Sequence, residues 1–192
     1  MRRPALSVLT ACGFALLTAC GSGGGYGFSS SGNSKGSIDF VTFTAGRNAQ
    51  TNDFIVAPNG TAPLQVDALG EKGSGPFATV VPDATFTWSA RFVDPATDTA
   101  RVASYNVGPT ALARPCPKKP STTPSIPILQ QTLPGLFNGQ LGPSQAARTV
   151  FIGAPPNMSA ADNAAGYCIL LQATHVGDRV IGGQTVLVSN NP

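Results

Sequence analysis

The chain has 192 residues, including 22 Gly and 17 Pro, a length that accommodates one domain with attachments. Apolar residues make up 42% of it, enough to bury a core, whereas charged residues make up only 11%, against about 25% in typical soluble domains. The surface must therefore consist mainly of Thr, Ser, Asn, Gln and Gly, which favours a β-protein, because exposed helices are rich in Glu, Lys and Arg. A net charge of +3 argues against a nucleic-acid-binding protein and against an acidic tail.

Residues 1–19 have the pattern of an export signal. Arg2 and Arg3 form a cationic start, and residues 5–17 form a weakly apolar run of about a dozen residues. A membrane-spanning helix needs about 20 apolar residues, so this run is too short to span a bilayer. We therefore predict a signal peptide over 1–19. Its removal lowers the net charge to +1, because ten basic and nine acidic residues are left.

The end of this segment, Leu17-Thr18-Ala19-Cys20, resembles the lipobox of bacterial lipoproteins. The resemblance implies that the Cys20 thiol receives a diacylglycerol, that signal peptidase II cleaves before Cys20, and that the new amine is acylated. The next residue is Gly21 rather than Asp, which in Gram-negative lipoproteins implies sorting to the outer membrane. The alternative is an ordinary signal peptide in which Cys20 is a small residue by chance.

Residues 20–36 combine this cysteine with a segment of Gly, Ser and Asn that has almost no apolar content. Such a composition is typical of a flexible linker. About sixteen residues of this kind have an r.m.s. end-to-end distance of about 22 Å, from 5–6 Å times the square root of their number. We interpret the segment as a tether that lets the following domain clear the lipid headgroups.

Residues 37–190 consist of short runs of β-branched and aromatic residues separated by turn residues, a pattern that predicts an all-β, antiparallel sandwich of about seven or eight strands. In two of the runs, apolar and polar residues alternate as in half-buried strands: Leu64, Val66 and Ala68, then Phe86, Trp88 and Ala90. Residues 159–165 are consistent with one short helical turn. The predicted strands cover residues 38–44, 54–56, 64–68, 86–90, 102–105, 149–152, 168–174 and 185–189.

Residues 109–143 break this regular spacing with a run of prolines. Because proline has no backbone donor for the ladder, this stretch is not expected to form a central strand. We interpret it as a long insertion over one edge or end of the sandwich. Its apolar side chains are expected to cover the sandwich or, alternatively, to await a partner; they are Ile126, Ile128, Leu129, Leu133, Leu136 and Phe137.

Three short motifs resemble the central segment of bacterial Ig-like (Big-type) domains: Thr87-Trp88-Ser89, Asp94-Pro95-Ala96 and residues 100–103. Residues 59–68 are similar to the preceding strand of those domains, and residues 168–188 to their closing hairpin. The resemblance implies an Ig-like β-sandwich. The chain departs from the family pattern between Ser89 and Asp94, where it has extra residues, and in the proline-rich insertion.

The two cysteines that follow the tether, Cys116 and Cys168, are predicted to form one disulfide if the chain is exported, because oxidising compartments favour that bond. They lie 52 residues apart, so the bond would fix the insertion to the penultimate strand. Both follow Trp88, which differs from the antibody arrangement, where the cysteines flank the tryptophan. The alternative is a pair of free, buried thiols.

The sequence offers no catalytic constellation, and we expect no enzyme, cofactor or metal. His175 is the only histidine, whereas blue-copper sites need two, and we expect it partly exposed at a strand end. Asp94 and Asp98 are interpreted as turn residues, with a calcium site as the alternative.

The basic side chains of the insertion form the speculative binding set. Arg114, Lys118 and Lys119 are candidates for contact with anionic polysaccharide or lipid headgroups, although three charges on one loop are more often simply solvated.

These features together predict a non-enzymatic, lipid-anchored, extracytoplasmic Ig-like domain in the cell envelope, at the outer membrane if the host is Gram-negative. The expected role is that of an adhesion, scaffolding or envelope-interaction module. Its partners would be the membrane, through the N-terminal lipid, and an envelope protein or polysaccharide, but no nucleic acid. The alternative is an accessory lipoprotein that binds carbohydrate or a small ligand.

Overall fold

The structure is a computed structural model that describes residues 26–28, 37–45, 54–58, 62–107, 112–131, 136 and 139–190. The predicted signal peptide at 1–19, Cys20 and most of the 20–36 tether lie outside these ranges. Within them, the chain forms thirteen strands, one short α-helix and one 3-10 turn. The all-β prediction is confirmed. The expected count of about seven or eight strands is too low, since strands of two to four residues carry too little alternation to be recognised in a sequence.

The strands form two main sheets and one separate hairpin. Sheet A contains β1 (Tyr26–Phe28), β3 (Ile55–Val56), β6 (Phe86–Phe92), β12 (Tyr167–His175) and β13 (Ile181–Val188). Sheet B contains β2 (Phe40–Ala45), β4 (Leu64–Lys72), β5 (Thr79–Val81), β9 (Ile128–Gln130), β10 (Gly139–Gln140) and β11 (Thr149–Ile152). The remaining elements are the hairpin of β7 (Ser104–Val107) with β8 (Leu112–Pro115), the 3-10 turn Gly75–Phe77, and α1 (Ala160–Ala165).

Sheet A has the order β1-β13-β12-β6, with antiparallel neighbours throughout. The short β3 pairs with the end of β13 in parallel. Strand β12 pairs with β13 from Tyr167↔Val188 to Thr174↔Ile181, and its other side pairs with β6. The last two strands of the described residues therefore occupy the middle of this sheet.

Sheet B has the order β10-β9-β11-β4-β2. The nine-residue β4 pairs with β2 and also with β11 and β5. Along β4, Val66 and Ala68 are fully buried, whereas Gln65 and Asp67 between them are partly exposed. The alternation that predicts a half-buried strand here is thus confirmed.

The core lies between the two sheets. The rings of Phe43 and Trp88 meet edge to face with their centroids 6.1 Å apart, and Trp88 Nε1 donates to the Ala147 carbonyl at 2.8 Å, so the indole is buried without an unpaired polar atom. Complete burial of one large apolar side chain contributes about 1.5–3 kcal/mol. The largest fully buried apolar side chains include Val41, Phe43, Val66, Phe86, Val150, Ile152, Ile169, Leu171 and Leu187.

The two sheets are joined at one corner and approach each other closely at another place. Phe86 N donates to Ala147 O at 3.2 Å, and Ala147 N donates to Phe86 O at 2.9 Å, which forms an antiparallel bridge just before β11. On β13, a Cβ atom added to Gly182 would lie 2.6 Å from Val41 Cβ. Only glycine therefore fits at position 182 without moving the sheets apart.

The proline-rich stretch at 109–143 is partly built into the sandwich, which corrects the interpretation that it only covers an edge or end. Strand β8 pairs with β7, but β9 lies within sheet B between β10 and β11. Ile128 of β9 is 9% exposed and belongs to the core. The three residues of β9 contain no proline, so each keeps the backbone donor that a central strand requires.

Strand β1 falls within the segment predicted as a flexible tether. Its backbone pairs antiparallel with β13, placing Tyr26 opposite Gly183 and Phe28 opposite Ile181. Without this partner, that part of β13 would be an open edge with unpaired backbone groups. The tether prediction is therefore wrong for these three residues, and the rest of 20–36 lies outside the described part of the chain.

Candidate functional site

The start of β12 carries a second apolar cluster on the outer face of sheet A. The sulfur atoms of Cys116 and Cys168 lie at disulfide distance, as predicted, with their Cα atoms 5.8 Å apart. The backbone N of Cys116 also donates to Ala103 O at 2.7 Å. The contact between Cys116 and Cys168 fixes the segment that follows β8 onto sheet A. The buried members of the cluster are Val93, Cys116, Cys168, Leu170 and Leu187.

Arg91 and Asp98 organise the loop that follows β6. The two terminal nitrogens of Arg91 donate to the two carboxylate oxygens of Asp98 at 2.9 and 2.6 Å, and Asp94 N donates to the same carboxylate at 2.8 Å. The hydrogen bond from Arg91 is the main cause of the lowered pKa of Asp98. Asp94 Oδ1 in turn accepts from Ala96 N at 3.1 Å. Both carboxylates thus bond within the loop, as turn residues do, and this geometry does not favour the calcium alternative.

Asp162 connects the proline-rich stretch to α1. Ser159 is the N-cap of the helix, and its Oγ accepts from Asp162 N at 3.0 Å and donates to Asp162 Oδ2 at 2.7 Å. The same carboxylate accepts from Ser121 N at 3.1 Å, Ser121 Oγ at 2.8 Å and Thr122 Oγ1 at 3.3 Å. These hydrogen bonds, led by that from Ser159, lower the pKa of Asp162 to about 2.

An open groove of about 600 Å³ lies between this connection and the loop after β6. Its charged lining residues are Lys118, Lys119, Asp94 and Asp162. Lys119 Nζ is 3.9 Å from Asp94 Oδ2. The formal charges of these four side chains balance, so the groove is a mixed-charge surface rather than a cationic one. The full lining is Asp94, Pro95, Ala96, Lys118, Lys119, Pro120, Ser121 and Asp162.

The structure brings together two of the three predicted basic binding residues. Arg114 is exposed on β8, where it pairs with Tyr105, and it does not line the groove that contains Lys118 and Lys119. The predicted set of Arg114, Lys118 and Lys119 therefore does not form one binding surface along this groove.

His175 lies at the end of β12, as expected, but it is buried rather than partly exposed, with 6% of its surface accessible. Its Nδ1 is 2.7 Å from Asp178 Oδ1, and the ring packs against Phe86. Asp178 also accepts from Ile38 N at 2.7 Å. Burial alone would raise the pKa of Asp178, but the hydrogen bonds from His175, Ile38 N and Val180 N outweigh it and lower the pKa. Asp178 thus contacts both His175 and Ile38, and so holds the turn between β12 and β13 beside the start of β2.

Among the described residues, no group of three His, Cys, Asp or Glu side chains is placed to hold a metal ion. Within the same ranges, no helix is long and apolar enough to cross a membrane. The carboxylates described above all accept hydrogen bonds from neighbouring backbone or side-chain groups.

Arg91 and Asp162 were not among the residues singled out as functional from the sequence. Asp162 has a recognisable signal, because Ser159-Ala160-Ala161-Asp162 has the spacing of an N-cap residue followed by an acidic residue three positions later. Its contact with Ser121 spans 41 residues and has no local pattern. Of the apolar residues in the proline-rich stretch, Ile128 is in the core, Ile126 packs against it and Leu136 is 43% exposed, whereas Leu133 and Phe137 lie outside the described ranges.

Comparison of the chain with protein-family models, with curated proteins and with solved structures found no match in any of the three.

Proposed function

We propose that the protein is a lipid-anchored, extracytoplasmic β-sandwich of the Ig-like kind that acts as a non-enzymatic interaction module of the cell envelope. The observation that carries this proposal is the placement of Cys116 and Cys168 at disulfide distance. Disulfides form and persist outside the cytoplasm, whereas cytoplasmic thiols are kept reduced. The pairing therefore supports the export that the N-terminal residues 1–19 predict.

The proposed anchor is the acylated Cys20. Each CH₂ group of an acyl chain that enters the bilayer contributes about 0.8 kcal/mol, so several chains hold a protein stably without a spanning helix. Gly21 after the cysteine favours the outer membrane in a Gram-negative host. Since β1 begins at Tyr26, only residues 21–25 separate the anchor from the first strand of sheet A. The module would thus be held close to the membrane surface.

The proposed interaction surface is the groove between Asp94, Lys119 and Asp162. None of the residues that line it is aromatic, whereas carbohydrate sites commonly use aromatic rings as platforms. Its open shape and balanced charge favour a protein partner over a sugar. The disulfide and the Asp162 hydrogen bonds hold residues 118–121, and Asp98 holds the Asp94 loop, so the surface is preorganised for binding.

The anchor is tested by replacing Cys20 with Ala in the full chain expressed in its bacterial host. The variant should leave the membrane fraction, because no thiol remains to carry the diacylglycerol. Cys12→Ala, which changes the other cysteine of the N-terminal segment, is the matched control and should stay membrane-bound. A Cys20→Ala protein that still sediments with membranes after a carbonate wash would contradict lipid anchoring.

The extracytoplasmic location is tested separately by counting thiols in the mature protein after denaturation without reductant. We expect neither Cys116 nor Cys168 to react, because both belong to the disulfide. Reduction before the assay should release both thiols. Two reactive sulfhydryls in the unreduced protein would count against an oxidising compartment.

A further inference from the structure

Among the described strands, β6 lies at one edge of sheet A, so half of its backbone groups point away from the sheet. Thr85 O accepts from Val176 N and Val93 N donates to Cys168 O, both at 3.0 Å. Because the direction of the backbone N–H and C=O groups alternates along a strand, the odd-numbered residues of β6 bond to β12. The even-numbered residues from 86 to 92 therefore direct their N–H and C=O groups toward the open edge.

One residue pair of a further ladder is already present on this edge. Phe86 and Ala147 exchange both of their backbone hydrogen bonds, at 3.2 and 2.9 Å, as two residues of an added antiparallel strand would. The chain before Ala147 forms a turn, in which Gln145 N donates to Gly142 O at 3.0 Å, so the ladder stops after this pair. Within the described part of the chain, no residue bonds to the outward N–H and C=O groups of Ala90. Unpaired edge groups of this kind are a template for another extended chain.

An open slot of about 440 Å³ lies beside this part of the strand. Ala90, Arg91 and Phe92 line it from β6, and residues 123–126 line it from the proline-rich stretch; we call it the β6 slot. Phe92 O already accepts from Arg91 Nη1 at 3.2 Å. The backbone N–H groups at positions 125 and 126 bond to no other described residue. The β6 slot thus has unpaired backbone groups on both sides.

The two faces of β6 beside the slot differ in polarity. Ala90 and Ile126 are partly buried and pack against the main core, so they form an apolar patch at its edge. Arg91 projects from the opposite face of the strand, where Asp98 balances its charge. An extended segment in the slot would direct alternate side chains to these two faces. The slot therefore fits a segment that alternates apolar and polar residues and carries little net charge.

We propose that the β6 slot receives an extended peptide segment of the protein partner, which adds to sheet A as a further strand and bonds to Ala90 and to Phe92 N. The inference rests on the proposed role as an interaction module and names the form in which the partner binds. The slot shares Asp94 and Lys119 with the groove described above, so one partner has access to both. A second copy fits less well, because its own β6 carries the same flanking residues 123–126, and both flanks would meet at the contact.

The test measures amide hydrogen exchange by NMR in the full-length protein, processed in its host and purified in detergent. The probe is the peptide acetyl-Lys-Thr-Val-Thr-Val-Thr-Glu-amide, which alternates apolar and polar residues and has no net charge. The peptide should slow exchange at the Ala90 and Phe92 amides by about tenfold or more. The amides of Ser89 and Arg91, which already bond to β12, should change little. The same peptide with N-methyl groups on its five central residues keeps the side chains, lacks the backbone donors and should have no effect.

Substitutions on each side of the slot give a second readout. Ala90→Pro removes the outward N–H and leaves the hydrogen bonds between β6 and β12, because Ala90 does not bond to β12. It should weaken peptide binding about tenfold or more, whereas Ala90→Ser keeps the donor and should bind as the wild type does. Ser125→Trp fills the slot from an exposed position on its other side and replaces Ala90→Pro if that variant does not fold. Ser125→Ala is its matched control. Equal peptide affinity in all four variants would overturn the inference.

The remaining outcomes separate the inference from the proposed function. Unchanged exchange at Ala90 with the peptide at about 1 mM would overturn the inference. If the peptide affected only Lys118 and Ser121, it would bind in the groove, which overturns strand addition and leaves the interaction module standing. Slow exchange at Ala90 in the free protein would also overturn the inference: a second copy covers the edge if the protection grows with protein concentration, and another segment of the same chain does if it does not. Absence of acylation at Cys20 would overturn the anchor alone, because the exchange measurement does not depend on it.

Discussion

Asp162 of α1 accepts two hydrogen bonds from Ser121, at 3.1 Å from the backbone N and at 2.8 Å from Oγ, across 41 residues of sequence. This one carboxylate therefore accepts from Ser159, the N-cap of a short helix, and also fixes the chain that follows the disulfide. The helix has only six residues, too few to be stable by itself in water, so it depends on such contacts.

Replacing Asp162 with Asn should release Ser121 while the sandwich stays folded. The neutral amide is a weaker acceptor than the carboxylate, which accepts from Ser159 as well as from Ser121. In the wild-type protein the pKa of Asp162 is lowered to about 2, so these hydrogen bonds are complete above the unfolded pKa of roughly 3.9 and are lost as the pH falls through about 2.

The amide proton of Ser121, followed by NMR, should accordingly titrate with a midpoint of about 2 in the wild type and show no such step in Asp162→Asn. Asp83→Asn removes an exposed carboxylate elsewhere and is the control, in which the Ser121 titration should persist. If the Ser121 amide proton showed the same pH dependence in the wild type, Asp162→Asn and Asp83→Asn, the hydrogen bond between Ser121 and Asp162 would be contradicted.

Substitution by Ala should destabilise the fold at Gly182 but not at the neighbouring Gly183. A Cβ atom at 182 would lie 2.6 Å from Val41 Cβ and 3.0 Å from a ring carbon of Phe43, so Gly182→Ala must push the sheets apart and should cost about 1–3 kcal/mol or more. At 183, the nearest atom is Leu170 Cδ1 at 3.4 Å, an ordinary contact. Gly183→Ala should therefore be nearly neutral.

The free energies of unfolding of these two variants, measured in urea, provide the comparison. Equal destabilisation of both would mean that the loss comes from the strand backbone and not from the close approach of the sheets.

Removing the Cys116–Cys168 bond should lower stability substantially. Closure of a loop between residues 52 apart contributes about 4 kcal/mol in the chain-entropy model, although strain and residual structure commonly reduce that figure. The double variant Cys116→Ala/Cys168→Ala should show a lower urea midpoint than the oxidised wild type. The reduced wild type, which keeps both side-chain volumes, separates the covalent effect from lost packing. Identical midpoints for oxidised and reduced wild-type protein would contradict this prediction.

Asp178 should make the fold sensitive to mild acid. Its pKa is lowered in the folded state, so its contribution is present above the unfolded pKa of about 3.9 and is lost as the pH falls through the folded value. Asp178→Asn should cost about 1–3 kcal/mol at pH 7, because Ile38 N loses a charged acceptor. Between pH 5 and about pH 3, its stability should fall less steeply than that of the wild type.

Urea unfolding at several pH values measures this difference, with Asp83→Asn as the control that should follow the wild type. Wild-type and Asp178→Asn curves of equal slope would show that other carboxylates cause the acid sensitivity.

Local patterns in the sequence predict the longer strands and the cysteine pair well. The alternation of Phe86 and Trp88 with Thr87 and Ser89 reflects a strand with one face in the core, and Cys168 lies in a strand that is buried on both faces. The residues 159–165 expected to form a helical turn do so, with Ser159 as its cap.

Features that depend on distant partners were missed or misjudged. The three residues of β9 become a central strand because Phe151 of β11 pairs with Leu129, a contact that no local pattern encodes. His175 is buried because Phe86 covers its ring and Asp178 accepts its hydrogen bond. The groove, likewise, is lined by residues 118–121 and by the loop after β6, which are distant in sequence and share no local pattern.

The position of β12 and β13 in the middle of sheet A also sets an order of assembly. Phe86 pairs with His175, and Tyr26 pairs with Gly183, so each flanking strand pairs with a segment that lies far from it in the sequence. Pairing between residues so far apart in sequence is slow, because chain entropy is lost before any contact compensates for it. Sheet A would thus close late in folding, in one step in which β12 and β13 bring both flanking strands together.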